Sequence, residues 1–229
     1  MMNNVYRFAF YFCLILLTFI HSLADAFTYY TVGGSNKRWA GTQVNFYVSG
    51  VSFPPGSPYR TALLDILGVF NSTNQSQCTV GVYMDAGNMG RGNDDSEIWY
   101  SVDPDALDGA PAITYTWRDG WEIVEADIIL DANLAWTPYV YKGDINSYGG
   151  SYRPFQTTFL HELGHAFGLG HVATIFNMMG QDWTHIHALG GSAYAYMGAD
   201  AGDGLMYLYG PSFANREDLS VTHWRWIGN

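Results

Sequence analysis

Residues 161–171 read HELGHAFGLGH, and within them three histidines and a glutamate stand at metal-site spacing among three glycines. His161 and His165 are four apart, so in a helix of 3.6 residues per turn both imidazoles leave from one face. Glu162 follows the first histidine and sits on the same side, near enough to take a proton from a metal-activated water without binding the metal itself. Gly168 comes three residues after His165, where a residue lacking Cβ can adopt positive φ, end the helix and turn the chain back. His171 then supplies a third nitrogen. Three protein ligands leave a fourth position for water, the arrangement of a catalytic rather than a structural zinc site. The competing reading is an amphipathic core helix whose histidines are only hydrogen-bonded.

The same eleven residues match the HExxHxxGxxH signature of the metzincin zinc endopeptidases, and the chain resembles the matrixin branch most. Metzincins carry a methionine turn shortly after the third histidine. Here Phe176-Asn177-Met178-Met179-Gly180 falls at that distance, with Met179 the better match and Met178 the alternative; core filling is the plain use of either side chain. Glu125–Asp131 resembles the matrixin strand that precedes the zinc helix, and Leu208-Tyr209-Gly210 the end of its last helix. The resemblance implies an α+β catalytic domain: a twisted mixed β-sheet, a backing helix, a zinc-binding active-site helix and a C-terminal helix. It further implies one catalytic zinc held by His161, His165 and His171, with Glu162 as general base. Gly109–Trp117 resembles the edge strand bordering the cleft, and Glu122–Asp131 the buried strand beside it. Main-chain groups of Ala112, Ile113 and Thr114 would then pair with an extended substrate; the competing reading is an edge blunted by Pro111. Two departures from the branch stand out: no histidine lies between residue 27 and His161 to hold a structural zinc, and Val172 follows the third ligand. No tyrosine directly follows the methionine turn, as one does in astacins and serralysins, which favours the matrixin-like branch.

The elements that must position these groups are legible in part. Thr42–Val48 alternates as a half-buried strand does, with Val44, Phe46 and Val48 on one face. Ser57-Pro58 offers an N-cap and a proline at the first helical position, and the helix is expected to run to about Asn71. Its Ala62, Leu63, Ile66, Leu67 and Phe70 recur at three-and-four spacing, as packing behind a sheet requires. Cys78–Met84 reads as a second strand. From Asp85 to Asp108 the chain is rich in Gly, Asn and Asp and reads as loop. Calcium is a second candidate cofactor there, since Asn93, Asp94, Asp95 and Glu97 bring several oxygen ligands together; a solvated acidic loop accounts for the same residues. His185 and His187 could share one face of an extended segment, or be exposed loop histidines. Residues 181–197 are expected, from the resemblance, to shape the substrate side-chain pocket.

At the amino end, Arg7, the thirteen-residue run Phe8–Ile20 and Ala24-Asp25-Ala26 have the three parts of a secretory signal. That run falls short of the about 20 residues a membrane helix needs, so export to the extracellular space or periplasm is expected, without stable membrane insertion. The expected organisation is signal 1–26, catalytic domain 27–211 and a tail 212–229 of undetermined role. About 200 residues after the signal suffice for one domain. With Phe27 leading toward the first strand, no propeptide carrying an inhibitory cysteine is expected. Cys78 is then the sole cysteine, which rules out an intramolecular disulfide and suits a small buried side chain. A formal charge of −11 argues against nucleic acid and anionic membranes as partners. The expected partner is a protein or peptide substrate, and the expected state a monomer. A zinc-holding binding module and a zinc hydrolase of a non-peptide amide are the rival functions.

Overall fold

A computed structural model describes residues 27–138, 151–173, 178–180, 187–189, 192–195 and 197–212. The candidate signal, most of the 181–197 segment, Phe176, Asn177 and the tail from 213 lie outside the described residues.

The described residues begin with three two-residue strands, β1 (Thr28–Tyr29), β2 (Thr31–Val32) and β3 (Ser35–Asn36). Five longer strands follow: β4 (Gln43–Ser49), β5 (Thr79–Ala86), β6 (Glu97–Ser101), β7 (Ala112–Asp119) and β8 (Glu122–Asp131). They form one sheet in the order β5-β4-β6-β8-β7. All neighbours pair in parallel except β7 with β8, so the sheet is mixed and β7 is an edge. Helix α1 (Pro58–Thr73) makes the crossover from β4 to β5. Its capping is as expected, with the Ser57 side chain accepting from Tyr59 N–H and Pro58 in the first turn. Two short strands, β9 (Trp136–Thr137) and β10 (Arg153–Pro154), lead into α2 (Phe155–Ala166). After it come β11 (Leu169–Gly170), the hairpin β12 (His187–Leu189) and β13 (Ser192–Tyr194), and α3 (Gly198–Tyr209).

The fold class is thus α+β, with a mixed sheet and, among the described residues, three α-helices. One hydrophobic cluster runs from Val44 to Tyr209 and joins the sheet to all three helices. Within α1 the buried residues are Ala62, Leu63, Ile66, Leu67 and Phe70, the stripe read from the spacing. In β8, Ala126, Ile128 and Leu130 join that cluster, while Ile129 packs on the opposite face with Ala106 and Leu107. Phe155 and Phe159, fully buried on α2, each add about 1.5–3 kcal/mol by leaving water.

Two expectations are corrected. Residues 97–101 are not loop but the central strand β6, held between β4 and β8. Thr42–Val48 is not the first strand either, because β1 precedes it and pairs antiparallel with β11, immediately before His171. Cys78 lies in the core, where its thiol contacts Ser76 Oγ and burial pushes its pKa up to about 12.

Candidate metal centre and cleft

Helix α2 presents its apolar side to the core and its histidines to a cleft of about 520 Å³ beside β7. Its carboxyl end is anchored from both directions of the chain. Trp39 Nε1–H donates to Ala166 C=O at 2.8 Å, and Tyr209 O–H donates to Phe167 C=O at 2.9 Å. Carbonyls left open by the helix end are thereby satisfied. Gly168 then takes φ +91°, and a Cβ there would meet the Lys37 carbonyl. The turn delivers Leu169 and Gly170 to β1, and Thr28 Oγ1–H donates to His171 C=O at 2.6 Å. His171 is therefore fixed by the amino-terminal segment as well as by the glycine.

The Nε2 atoms of His161, His165 and His171 lie 3.0–3.1 Å from one another. His161 Nδ1–H donates to Met178 C=O at 2.6 Å, and His165 Nδ1–H to Leu169 C=O at 2.8 Å. A carbonyl only accepts, so each of these Nδ1 atoms carries the proton and each Nε2 presents a bare lone pair. Two bare nitrogens cannot hydrogen-bond to each other, and a cation between them is what makes such convergence favourable. Burial keeps the imidazoles neutral, pushing the His161 pKa down to about 4 and that of His165 to about 3. Nitrogens on one tetrahedral zinc at about 2.0–2.1 Å lie about 3.3–3.4 Å apart, close to the spacing here, so the donor set fits zinc. Among the described residues this is the one group of His, Cys, Asp and Glu whose ligand atoms come together.

Glu162 is buried beside the triad. Burial pushes its pKa up to about 7, opposed by the Thr114 hydroxyl, which sits 2.7 Å from Oε2 and 2.9 Å from the Glu162 main-chain carbonyl. The carboxylate is thus oriented by β7, 48 residues away in sequence.

Met178 and Met179 act on the triad in different ways. Met178 acts through its carbonyl on His161, while Met179 packs its sulfur against Gly164, between the two helical ligands, and its carbonyl accepts from Val172 N–H at 2.9 Å.

Ala112, Ile113 and Thr114 all line the cleft. Asp131 N–H donates to Pro111 C=O, and the register pairs Ala112 with Leu130 and Ile113 with Ile129. By the alternation of an antiparallel ladder, Ala112 and Thr114 point their main-chain groups outward and Ile113 points its own at β8. The expectation for Ile113 as a main-chain substrate contact is corrected accordingly. Tyr30 and Lys37, brought to the same cleft by the amino-terminal segment, were not singled out from sequence.

On the other face of β8 lie Glu125 and Asp127, buried with Glu97 of β6. Glu125 accepts from the main-chain N–H groups of Asn93 and Asp94 at 3.1 and 3.0 Å, and Glu97 from Gly90 N–H at 2.7 Å. Asn93 Oδ1 accepts from Asp95 N–H at 3.2 Å. Of the oxygens read from sequence as calcium ligands, those of Asn93 and Glu97 take part in pinning the 90–95 loop.

Compared with protein-family models and with the curated proteins, the chain matches none.

Proposed function

We propose that the protein is an exported zinc endopeptidase of the metzincin type. The observation that carries this reading is the convergence of three Nε2 atoms at 3.0–3.1 Å beside a buried glutamate on a cleft. His161, His165 and His171 would hold the metal, and zinc, when bound, lowers the pKa of water and polarises a carbonyl.

This chain's own residues do the rest. Glu162 takes the proton from the attacking water, in a site where burial has raised its affinity for that proton. It then hands the proton to the amine nitrogen as the peptide C–N bond breaks. The Thr114 hydroxyl holds the carboxylate in place through both positions. The outward main-chain groups of Ala112 and Thr114 pair with an extended peptide and set its carbonyl beside the triad. A peptide is favoured over a compact amide because the cleft follows β7 from Ala112 to Thr116, about 13 Å of strand.

Replacing Glu162 with Gln keeps the side-chain shape and removes the base. The variant should bind zinc in the same ratio as the parent, while turnover on denatured casein falls by about 10²- to 10⁴-fold. Full activity in Glu162→Gln refutes the role given to Glu162.

A further inference from the structure

Lys37 is, among the described residues, the one lysine or arginine lining the cleft. Its ammonium donates to Thr116 Oγ1 on β7 and lies 5.1 Å from the centre of the Tyr30 ring. It is half-buried, and among the described residues no carboxylate pairs with it. That is unexpected in a chain with 21 acidic and 10 basic residues. Burial, and after it the neighbouring charge of Arg118, lower its pKa. A lysine serving only to cover Tyr30 would keep its stem there and turn its charge to water.

Position along β7 gives this cation a place relative to the reacting bond. Thr114 marks the catalytic point through Glu162, and Thr116 lies two residues further along the strand, about 7 Å away. A peptide pairing antiparallel with the outward groups of β7, the stronger ladder, runs opposite to the strand. Its amino-terminal part therefore passes over Thr116 and Lys37. Resting on the peptidase reading above, we propose that Lys37 forms a carboxylate subsite. The substrates are then extended peptides bearing Asp or Glu about two to three residues before the scissile bond.

The test uses peptides that differ only in Asp, Ala or Lys at each position flanking one cleavage site. Cleavage by the zinc-loaded protein is followed by mass spectrometry, and binding to the Glu162→Gln variant by calorimetry. The expected result is a preference of tenfold or more for Asp over Lys before the bond, expressed in KM and in binding. Lys37→Met keeps the stem over Tyr30 and should abolish the ratio; Lys37→Arg should restore it, and Lys37→Glu should invert it. Equal handling of acidic and basic peptides, a preference unchanged in Lys37→Met, or an acidic preference after the bond overturns the subsite. If no peptide is cleaved by zinc-loaded protein, the peptidase reading fails, and the calorimetric ratio still decides whether Lys37 selects carboxylates.

Discussion

A carboxyl group buried beside three neutral imidazoles is held by two opposing influences, burial raising its pKa and the Thr114 hydroxyl lowering it. Removing the hydroxyl leaves the first unopposed. Thr114→Val should therefore raise the Glu162 pKa and move the acid limb of the kcat/KM profile to higher pH, since the base works only when ionised. At neutral pH kcat/KM should fall by about tenfold, the worth of one hydrogen bond to a charged group. Thr114→Ser, which keeps the hydroxyl, should retain the parent profile. A purely packing role for Thr114 would lower activity without moving the limb. The histidines divide similarly: His161 and His165 owe their tautomers to the carbonyls of Met178 and Leu169, so the main chain, not another side chain, prepares both nitrogens for a cation.

Elements bring these residues together through close main-chain approaches. Gly168 has φ +91° and no room for Cβ against the Lys37 carbonyl, so Gly168→Ala adds backbone strain of about 1–3 kcal/mol and pushes β11 off its place. The thermal midpoint and the zinc affinity of that variant should fall together, as read by calorimetry and by competition with a chromogenic chelator. Unchanged zinc affinity would show that the turn does not position His171. How much of this was legible in the sequence follows from range. The α1 stripe rests on local periodicity and was readable, as was the histidine spacing within one helix and its turn; the bounds of β8 came from the family resemblance. Strand β6 was not, because five residues beginning with a buried glutamate follow a Gly- and Asn-rich loop and show no alternation. Two-residue strands such as β1 are too short to carry any period. The side chains of Thr114 and Lys37 act across 48 and 79 residues, on Glu162 and Thr116 respectively, and nothing in their own neighbourhoods marks those side-chain roles.

At the scale of the whole molecule, both ends of the described chain converge on the carboxyl end of α2, through Thr28, Trp39 and Tyr209. Stability there comes from packing and hydrogen bonds, with Cys78 a free buried thiol. The sheet also carries an internal titration. Asp127 is fully buried near Glu125 and Glu97, and burial followed by those two charges raises its pKa from 3.8 to about 8. The folded state thus holds a proton that the unfolded chain has lost between those values. Stability is full below about pH 4 for this group and declines as pH rises toward 8, by at most about 1.4 kcal/mol per pH unit. Denaturant unfolding of Asp127→Asn across that range should show a flatter pH dependence than the parent; an unaltered slope would place the proton elsewhere. The central claim joins the histidine triad to peptide hydrolysis, and one measurement reaches it directly: cleavage of denatured casein by protein stripped with a chelator and then reloaded with zinc. The account predicts no cleavage from the stripped protein and full recovery at about one zinc per chain. Stripped protein that cleaves as fast as reloaded protein, or protein that takes up no zinc, would contradict it.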